Sequence, residues 1–322
     1  MASRDLVLGI FSFSQTSIGL LGNITLLTVY VHVFISHSLS KKSTDLILIH
    51  LTVANTVTLL TQVVPAMIVT FDTENSLGNV GYQIIIFTRR MSRGLSICTT
   101  SLLSVFQAIT ISPSTSCWAK FKPRAPRYIL PSFLFFWILH IFIYVKILSV
   151  SVSAQNATLL ANHSAVKNSP NIFWLNYLND TASRLTAAVR DLLFVGLMSW
   201  SSGYMVMVLY QHRRRLQHIH STSHSPKSSP ETRATQTIVL LVSCFVSFYL
   251  INSSINLFVN LFKEKDFWLI NIAAFLSTCY PSLCPLVLLS NDPRLPKPCC
   301  VMEKVREKIN YGICQVLTMC QA

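Results

Sequence analysis

Seven runs of apolar residues alternate with short polar connections along the chain, over 7–34, 45–70, 80–111, 128–150, 187–210, 235–262 and 267–290. Each is long enough to cross a hydrocarbon layer about 30 Å thick, which takes roughly 20 helical residues. The pattern predicts one domain, 1–322: an all-α membrane protein with a seven-transmembrane helix bundle and a tail over 291–322. The stretch Arg190–Leu250 organises the rest. Its apolar run breaks into Gln211-His-Arg-Arg-Arg-Leu-Gln-His-Ile-His220, too basic for hydrocarbon. Ser229-Pro230-Glu231 then opens a new helix, with Ser at the N-cap, Pro in the first helical position and an acid in the first turn. That helix runs to about Phe262, roughly 50 Å at ~1.5 Å per residue. It exceeds the bilayer core and makes a lever whose basic end projects beyond it.

Composition supports this picture. Hydrophobic residues make up 51% of the chain and charged residues 12%, against roughly 25% charged in soluble domains. The net charge of +14 does not point to nucleic acid, because the cations sit in the gaps between apolar runs. Their distribution orients the bundle. Connections 35–44, 112–127, 211–234 and the tail hold 16 Lys and Arg, against 5 in the N-terminus and connections 71–79, 151–186 and 263–266. The positive-inside rule therefore expects the N-terminus to be extracellular and the C-terminus cytoplasmic. The N-terminus lacks a basic n-region before a short apolar stretch, so no cleaved signal peptide is expected. Sequons at Asn156-Ala-Thr158 and Asn162-His-Ser164 fall in the 151–186 connection, on the expected outer side, and make both asparagines candidate glycan sites. None of the nine cysteines lies in an outer connection, so no external disulfide is expected. Cys299 and Cys300 follow the last span and read either as palmitoylation sites or as unmodified thiols.

Polar residues within spans need a partner or a cavity. Arg89, Arg90 and Arg93 lie near the outer end of the third span. They either line a water-filled cavity, pair with Asp191 beside Arg190, or snorkel to headgroups. Asn252, Asn256 and Asn260 recur every four residues as one polar stripe that suits interhelical hydrogen bonding or pocket lining equally. Asn23 and Asn55 read as polar glue, while Gly203, Pro281 and Pro285 suggest close packing and helix distortion. No catalytic grouping, cofactor motif or metal site is expected. His212, His218, His220 and His224 lie in a basic loop without acid or thiol ligands and read as a solvated face.

Several motifs, in order along nearly the whole chain, resemble the vomeronasal type 1 receptors, seven-helix G-protein-coupled pheromone receptors. They are Ser43-Thr-Asp-Leu-Ile-Leu48, Leu51-Thr-Val-Ala-Asn55, Arg93-Gly-Leu-Ser-Ile-Cys-Thr-Thr100, and Leu102-Leu-Ser-Val-Phe-Gln-Ala-Ile-Thr-Ile-Ser-Pro113. Further on stand Arg190-Asp-Leu-Leu-Phe-Val-Gly-Leu-Met198, Trp200-Ser-Ser-Gly203, Gln217-His-Ile-His220, Ser228-Ser-Pro-Glu-Thr-Arg-Ala-Thr-Gln-Thr-Ile238, Cys279-Tyr-Pro281 and Asn291-Asp-Pro-Arg294. The resemblance implies a pheromone-like small-molecule ligand, bound near the outer ends of the third, fifth and sixth helices. With the polar residues above, the expected ligand-binding set is Arg89, Arg90, Arg93, Arg190, Asp191, Asn256 and Asn260. It also implies a heterotrimeric G protein of inhibitory type, met by Gln107, Arg213, Arg214 and Arg215, to which the charge pattern adds Arg233 at the start of the sixth span; membrane lipid is a further expected partner at the plasma membrane. The basic strip Arg213–Arg215 could serve coupling, topology or both.

The family typically has a cysteine at the outer start of the third helix, in a Gly-Cys-Lys context, bonded to the long external loop. Here the site reads Gly81-Tyr82-Gln83 and the loop has no cysteine. A rival reading from another class is a small solute transporter, which normally shows an internal repeat; none is found and seven spans do not halve. A third is a receptor relic with impaired surface expression.

The topology is tested by endoglycosidase treatment of wild type and of the Asn156→Gln/Asn162→Gln variant. Wild type alone should gain mobility, and a cytosolic epitope in the 151–186 connection would sink the orientation.

Overall fold

The computed structural model describes residues 2–36, 43–70, 74–161, 170–219, 230–262 and 267–291. Seven helices order along the chain: α1 Ala2–Ser36, α2 Ser43–Thr70, α3 Glu74–Ile111, α4 Ala125–Ala161, α5 Pro170–Ile219, α6 Pro230–Phe262 and α7 Phe267–Asn291. A short 3-10 turn, Cys117–Phe121, joins α3 to α4. Each of the seven carries a stretch long and apolar enough to cross a membrane. Phe11, Leu21, Leu130, Phe142, Leu193 and Trp200 lie on the outside, more than half exposed. An outer surface so apolar suits hydrocarbon and would be a liability in water.

Where the sequence carries a strong stop or start, the expected ends match. α3 ends at Ile111 before Ser112-Pro113, and α6 runs from Pro230 to Phe262. Two expected connections are shorter than read. α4 continues to Ala161 and α5 begins at Pro170, so much of 151–186 is helical and Asn156 sits on the last turns of α4. Nothing between Ser151 and Ala161 breaks a helix, and leaving hydrocarbon does not by itself unwind one. Asn162 lies outside the described residues. α5 likewise runs on to Ile219, placing Arg213, Arg214, Arg215, His212 and His218 on a helix where a loop was expected. Arg, Gln and Leu are good helix formers, and no Gly or Pro intervenes before Pro226. His220, His224, Cys299 and Cys300 lie outside the described residues.

α3 is the axis. It packs on α2, α4, α5 and α6, while α1 and α2 close the ring against α7. Leu26, Ile47, Leu51, Leu95, Ile97, Leu103, Met198, Leu241 and Tyr280 make its dry centre. α3 also exposes a row of small polar residues to its neighbours. Ser92 accepts from Thr58 at 3.0 Å, and Ser96 donates to Asn55 Oδ1 at 2.7 Å, both on α2. Thr100 meets Tyr280 on α7 at 2.8 Å, and Ser104 meets Ser201 on α5 at 2.6 Å. Gln107 donates to Thr235 on α6 at 3.0 Å, and Ser112 meets Tyr204 on α5 at 3.0 Å. In hydrocarbon such bonds contribute on average about 0.6 kcal/mol each, so their number and spacing matter more than any one.

A further tie joins α2, α3 and α4. Trp137 Nε1 donates to His50 Nε2 at 3.1 Å, and an indole N–H can only donate. His50 Nε2 therefore accepts, and Nδ1 carries the proton towards Thr99 Oγ1, 2.9 Å away. Phe133 stacks flat on the same imidazole, 4.3 Å between centroids.

Prolines and glycines act by local geometry. Pro285 has no N–H to give the carbonyl of Pro281, one turn back on α7. Asn23 supplies one from α1: its Nδ2 donates to Pro281 O at 2.9 Å and to Gly19 O at 2.8 Å. The glue role expected of Asn23 and Asn55 thus has specific partners. Gly203 does not mark close packing; a Cβ there would meet open space. The tight sites are Gly19, against Ser282, and Gly94, against the His140 imidazole.

Gly94→Ala should cost about 1–3 kcal/mol of stability through overpacking, whereas Gly203→Ala should be neutral or stabilising by roughly 0.5–1 kcal/mol. Thermal unfolding of the two purified variants checks this, and equal melting temperatures would contradict it.

Candidate functional site

A cavity opens between α2, α3, α6 and α7. Thr58 contributes from α2, and Arg93, Ser96 and Ile97 from α3. α6 adds Phe245, Phe248, Tyr249 and Asn252, and α7 adds Leu276, Ser277, Tyr280 and Pro281. The cavity holds about 30 Å³. Drug-sized ligands usually occupy roughly 300–1,000 Å³, so the space is contracted and a guest needs its walls to give. The soft wall is aromatic. Phe245 stacks with Tyr249 at 6.1 Å and meets Tyr280 edge-on at 4.6 Å. Tyr280 is in turn pinned to Thr100 of α3.

Among the described residues Arg93 is the one arginine that lines this cavity beside the aromatic residues. Arg89, one turn away, reaches α7 through Ser277 Oγ at 3.4 Å, so it braces a lining residue rather than lining the space itself. Arg90 is partly buried on the same stretch. Asn252, the first member of the polar stripe, lines the cavity and is 2% exposed. The side chains of Asn256 and Asn260 lie outside the described residues.

Asp191 is held by Arg190, its own neighbour on α5. Arg190 Nε donates to Asp191 Oδ1 at 2.9 Å, and Nη2 donates to the same oxygen. Nη1 donates to Tyr144 OH of α4 at 3.1 Å, with the guanidinium 5.6 Å from that ring's centre. Adjacent helical residues do not normally face each other. The Arg190 side chain is long enough to fold round, and burial of both groups makes a local partner worth the bend. His140, fully buried, completes the cluster beside Gly94 and donates from Nδ1 to Phe136 O at 2.6 Å. Arg190 and Asp191 therefore sit in a separate α3–α4–α5 cluster and do not line the cavity.

At the other end of the bundle Gln107 is 7% exposed and tied to Thr235, which joins α3 to α6. Arg214 is exposed and stacks on Tyr210 at 4.9 Å. The side chains of Arg213, Arg215 and Arg233 lie outside the described residues. Residues the sequence reading did not single out include Tyr249, Phe245, Ser277 and Tyr280. Aromatic and small polar residues are common on any span, and only the crossing of α3, α6 and α7 brings these four together.

Comparison with known proteins adds a family. The model of the vomeronasal organ pheromone receptor family matches residues 6–301. Human vomeronasal type-1 receptor 4 is 37% identical over 303 residues, spanning 93% of this chain and 98% of its own. Human vomeronasal type-1 receptor 3 is 35% identical over 315 residues, with 93% and 96% covered. Mouse vomeronasal type-1 receptor 40 is 32% identical over 298 residues, with 92% and 94% covered.

The Arg190 cluster is testable on its own. Lys cannot reproduce the fork that meets Asp191 and Tyr144 together, so Arg190→Lys should cost on the order of 1–3 kcal/mol. Tyr144→Phe should cost less. The double variant should fall short of the sum, because both changes disable one guanidinium; additive losses in thermal unfolding would mean the bonds act independently.

Proposed function

We propose, because this chain belongs to the vomeronasal organ pheromone receptor family, that it binds a small pheromone-like molecule in the cavity between α3, α6 and α7. Membership makes it a seven-helix, G-protein-coupled receptor of the plasma membrane. The proposed orientation keeps the N-terminus outside, which places the Arg89–Arg93 end towards the external medium. The observation that supports the binding reading is a cavity lined by Arg93 of α3 together with aromatic residues of α6 and α7. Such a lining favours a compact, largely apolar ligand bearing one hydrogen-bond acceptor. Arg90, Asn256 and Asn260 would shape the entrance, with Arg89 bracing Ser277 and the Arg190–Asp191 pair supporting α3 from its α4–α5 side.

A ligand shifts a receptor only through contacts that differ between its states. A guest in this contracted space must displace Tyr249 and Phe245 on α6, the helix whose far end is held to α3 by Gln107 and Thr235. Movement of α6 would part that bond and open the basic end of α5 and α6. In this reading Gln107, Arg213, Arg214, Arg215 and Arg233 then meet a heterotrimeric G protein of inhibitory type. A basic strip suits an acidic partner and speeds its encounter.

Expression with a promiscuous G protein and calcium imaging against a volatile and steroid panel tests the reading. For any agonist found, Arg93→Gln should raise the half-maximal concentration by about 10–100-fold, the loss of one charge-assisted hydrogen bond. An unchanged dose–response at equal surface density removes Arg93 from the site. Coupling to endogenous G protein should be abolished by pertussis toxin, and an insensitive response would exclude the inhibitory type.

A further inference from the structure

The connection between α3 and α4 has surface chemistry that ligand binding does not use. Four cations crowd it: Lys120, Lys122, Arg124 and Arg127, all exposed. The chain holds no acidic residue from 75 to 179, so nothing nearby in sequence neutralises them. Three aromatics stand among them with much of their surface open, Trp118 at 43%, Phe121 at 50% and Tyr128 at 59%. Mixed cationic and aromatic surface at the end of a span is the chemistry of a bilayer's polar boundary. Aromatic rings settle at headgroup level, and cations attract anionic lipid.

Position agrees with chemistry. The apolar span of α3 ends at Ile111 and that of α4 begins at Ala125, so the connection sits where hydrocarbon gives way to water. From Tyr128 the exposed side continues without a break in character through Leu130, Leu134, Phe135 and Ile138, the outward face of α4. The patch thus extends a lipid-facing surface. The Gln107–Thr235 contact, where α3 meets α6, is a different part of that end of the bundle.

The connection is also built to hold its shape. Trp118 N donates to Ser116 Oγ at 3.3 Å, and Lys122 Nζ donates to Ser112 O at 3.1 Å. The Tyr204 hydroxyl of α5 meets Ser112 at 3.0 Å and Ser116 at 3.2 Å, with the Trp118 ring 6.5 Å from its own. A headgroup held by the cations would therefore bear on α5 through Tyr204.

We propose that the exposed Lys120, Arg124 and Arg127, with Trp118, Phe121 and Tyr128, form a docking surface for anionic phospholipid headgroups. The proposal rests on the orientation above only for which leaflet supplies the lipid. A symmetric bilayer removes that dependence, so failure of one reading does not carry over to the other.

The test uses the full chain in phosphatidylcholine nanodiscs, with a spin-labelled phosphatidylserine or phosphatidylcholine tracer reporting which lipid associates with the protein. Wild type should prefer phosphatidylserine, less so at high salt. Lys120→Gln/Arg124→Gln/Arg127→Gln should lower the preference at least fivefold, since each cation near an anionic surface contributes about that factor, roughly 1 kcal/mol. Lys122 is left in place because it caps Ser112 O. The charge-keeping Lys120→Arg/Arg124→Lys/Arg127→Lys variant should retain the preference. Full preference in the glutamine variant overturns the proposal, as does equal loss in both variants. Unchanged lipid preference with reduced activation of purified G protein would make the patch a protein dock and would also overturn it.

Discussion

Hydrocarbon offers no hydrogen bonds, so each polar group carried into the bundle must find its partner on another helix or on its own backbone. α3 is where this chain meets that demand most fully. From Ser92 to Gln107 its small hydroxyls and one amide reach α2, α7, α5 and α6 in turn, and Ser112 just past its end meets α5 again. Residues this short let helices approach closely and fix their rotation about one another. The remaining helices are positioned by which of these bonds they can make. α4, which offers few small polar residues, instead docks through His50, Trp137 and the Gly94–His140 contact.

The same demand explains the less regular features. α7 accommodates Pro285 because Asn23 supplies the N–H that this proline lacks. Arg190 tolerates burial because Asp191 and Tyr144 take up its donors, at the cost of an unusual turn of the side chain towards its neighbour. Joints of this kind have discrete partners rather than continuous slack. A bundle held by them yields at particular places, and the aromatic contact of Phe245, Tyr249 and Tyr280 is one beside the cavity. α6 thus lines the cavity beside Arg93 and carries Thr235, tied to Gln107, nearer its other end.

Much of this was legible before any coordinates. Length and hydropathy predicted seven helices, because a spanning segment must satisfy its backbone within itself and needs a minimum apolar length. Ser229-Pro230 marked a helix start, since proline's effect is local. Ordered motifs carried the family. Helix extension beyond the membrane is less legible: polarity alone suggests loop at Asn156 and Arg213–Arg215, whereas polarity ends only the hydrocarbon.

The tertiary structure decided what depends on rotation and on distance across helices. Asp191 stands at the depth of the α3 arginines, and depth is all that a linear pattern supplies; the azimuth of α5 gave it to Arg190. Gly203 and Gly94 look alike as letters, yet only Gly94 faces a ring. The cavity joins α3 with α6 and α7 rather than with α5, because the small residues along α3 set which neighbour lies against each side of it. The chain's own pattern thus determined which segments span and roughly where they stop, properties set by each segment alone. Which side chains meet was decided by packing, because a one-dimensional period constrains a helix's face only relative to itself.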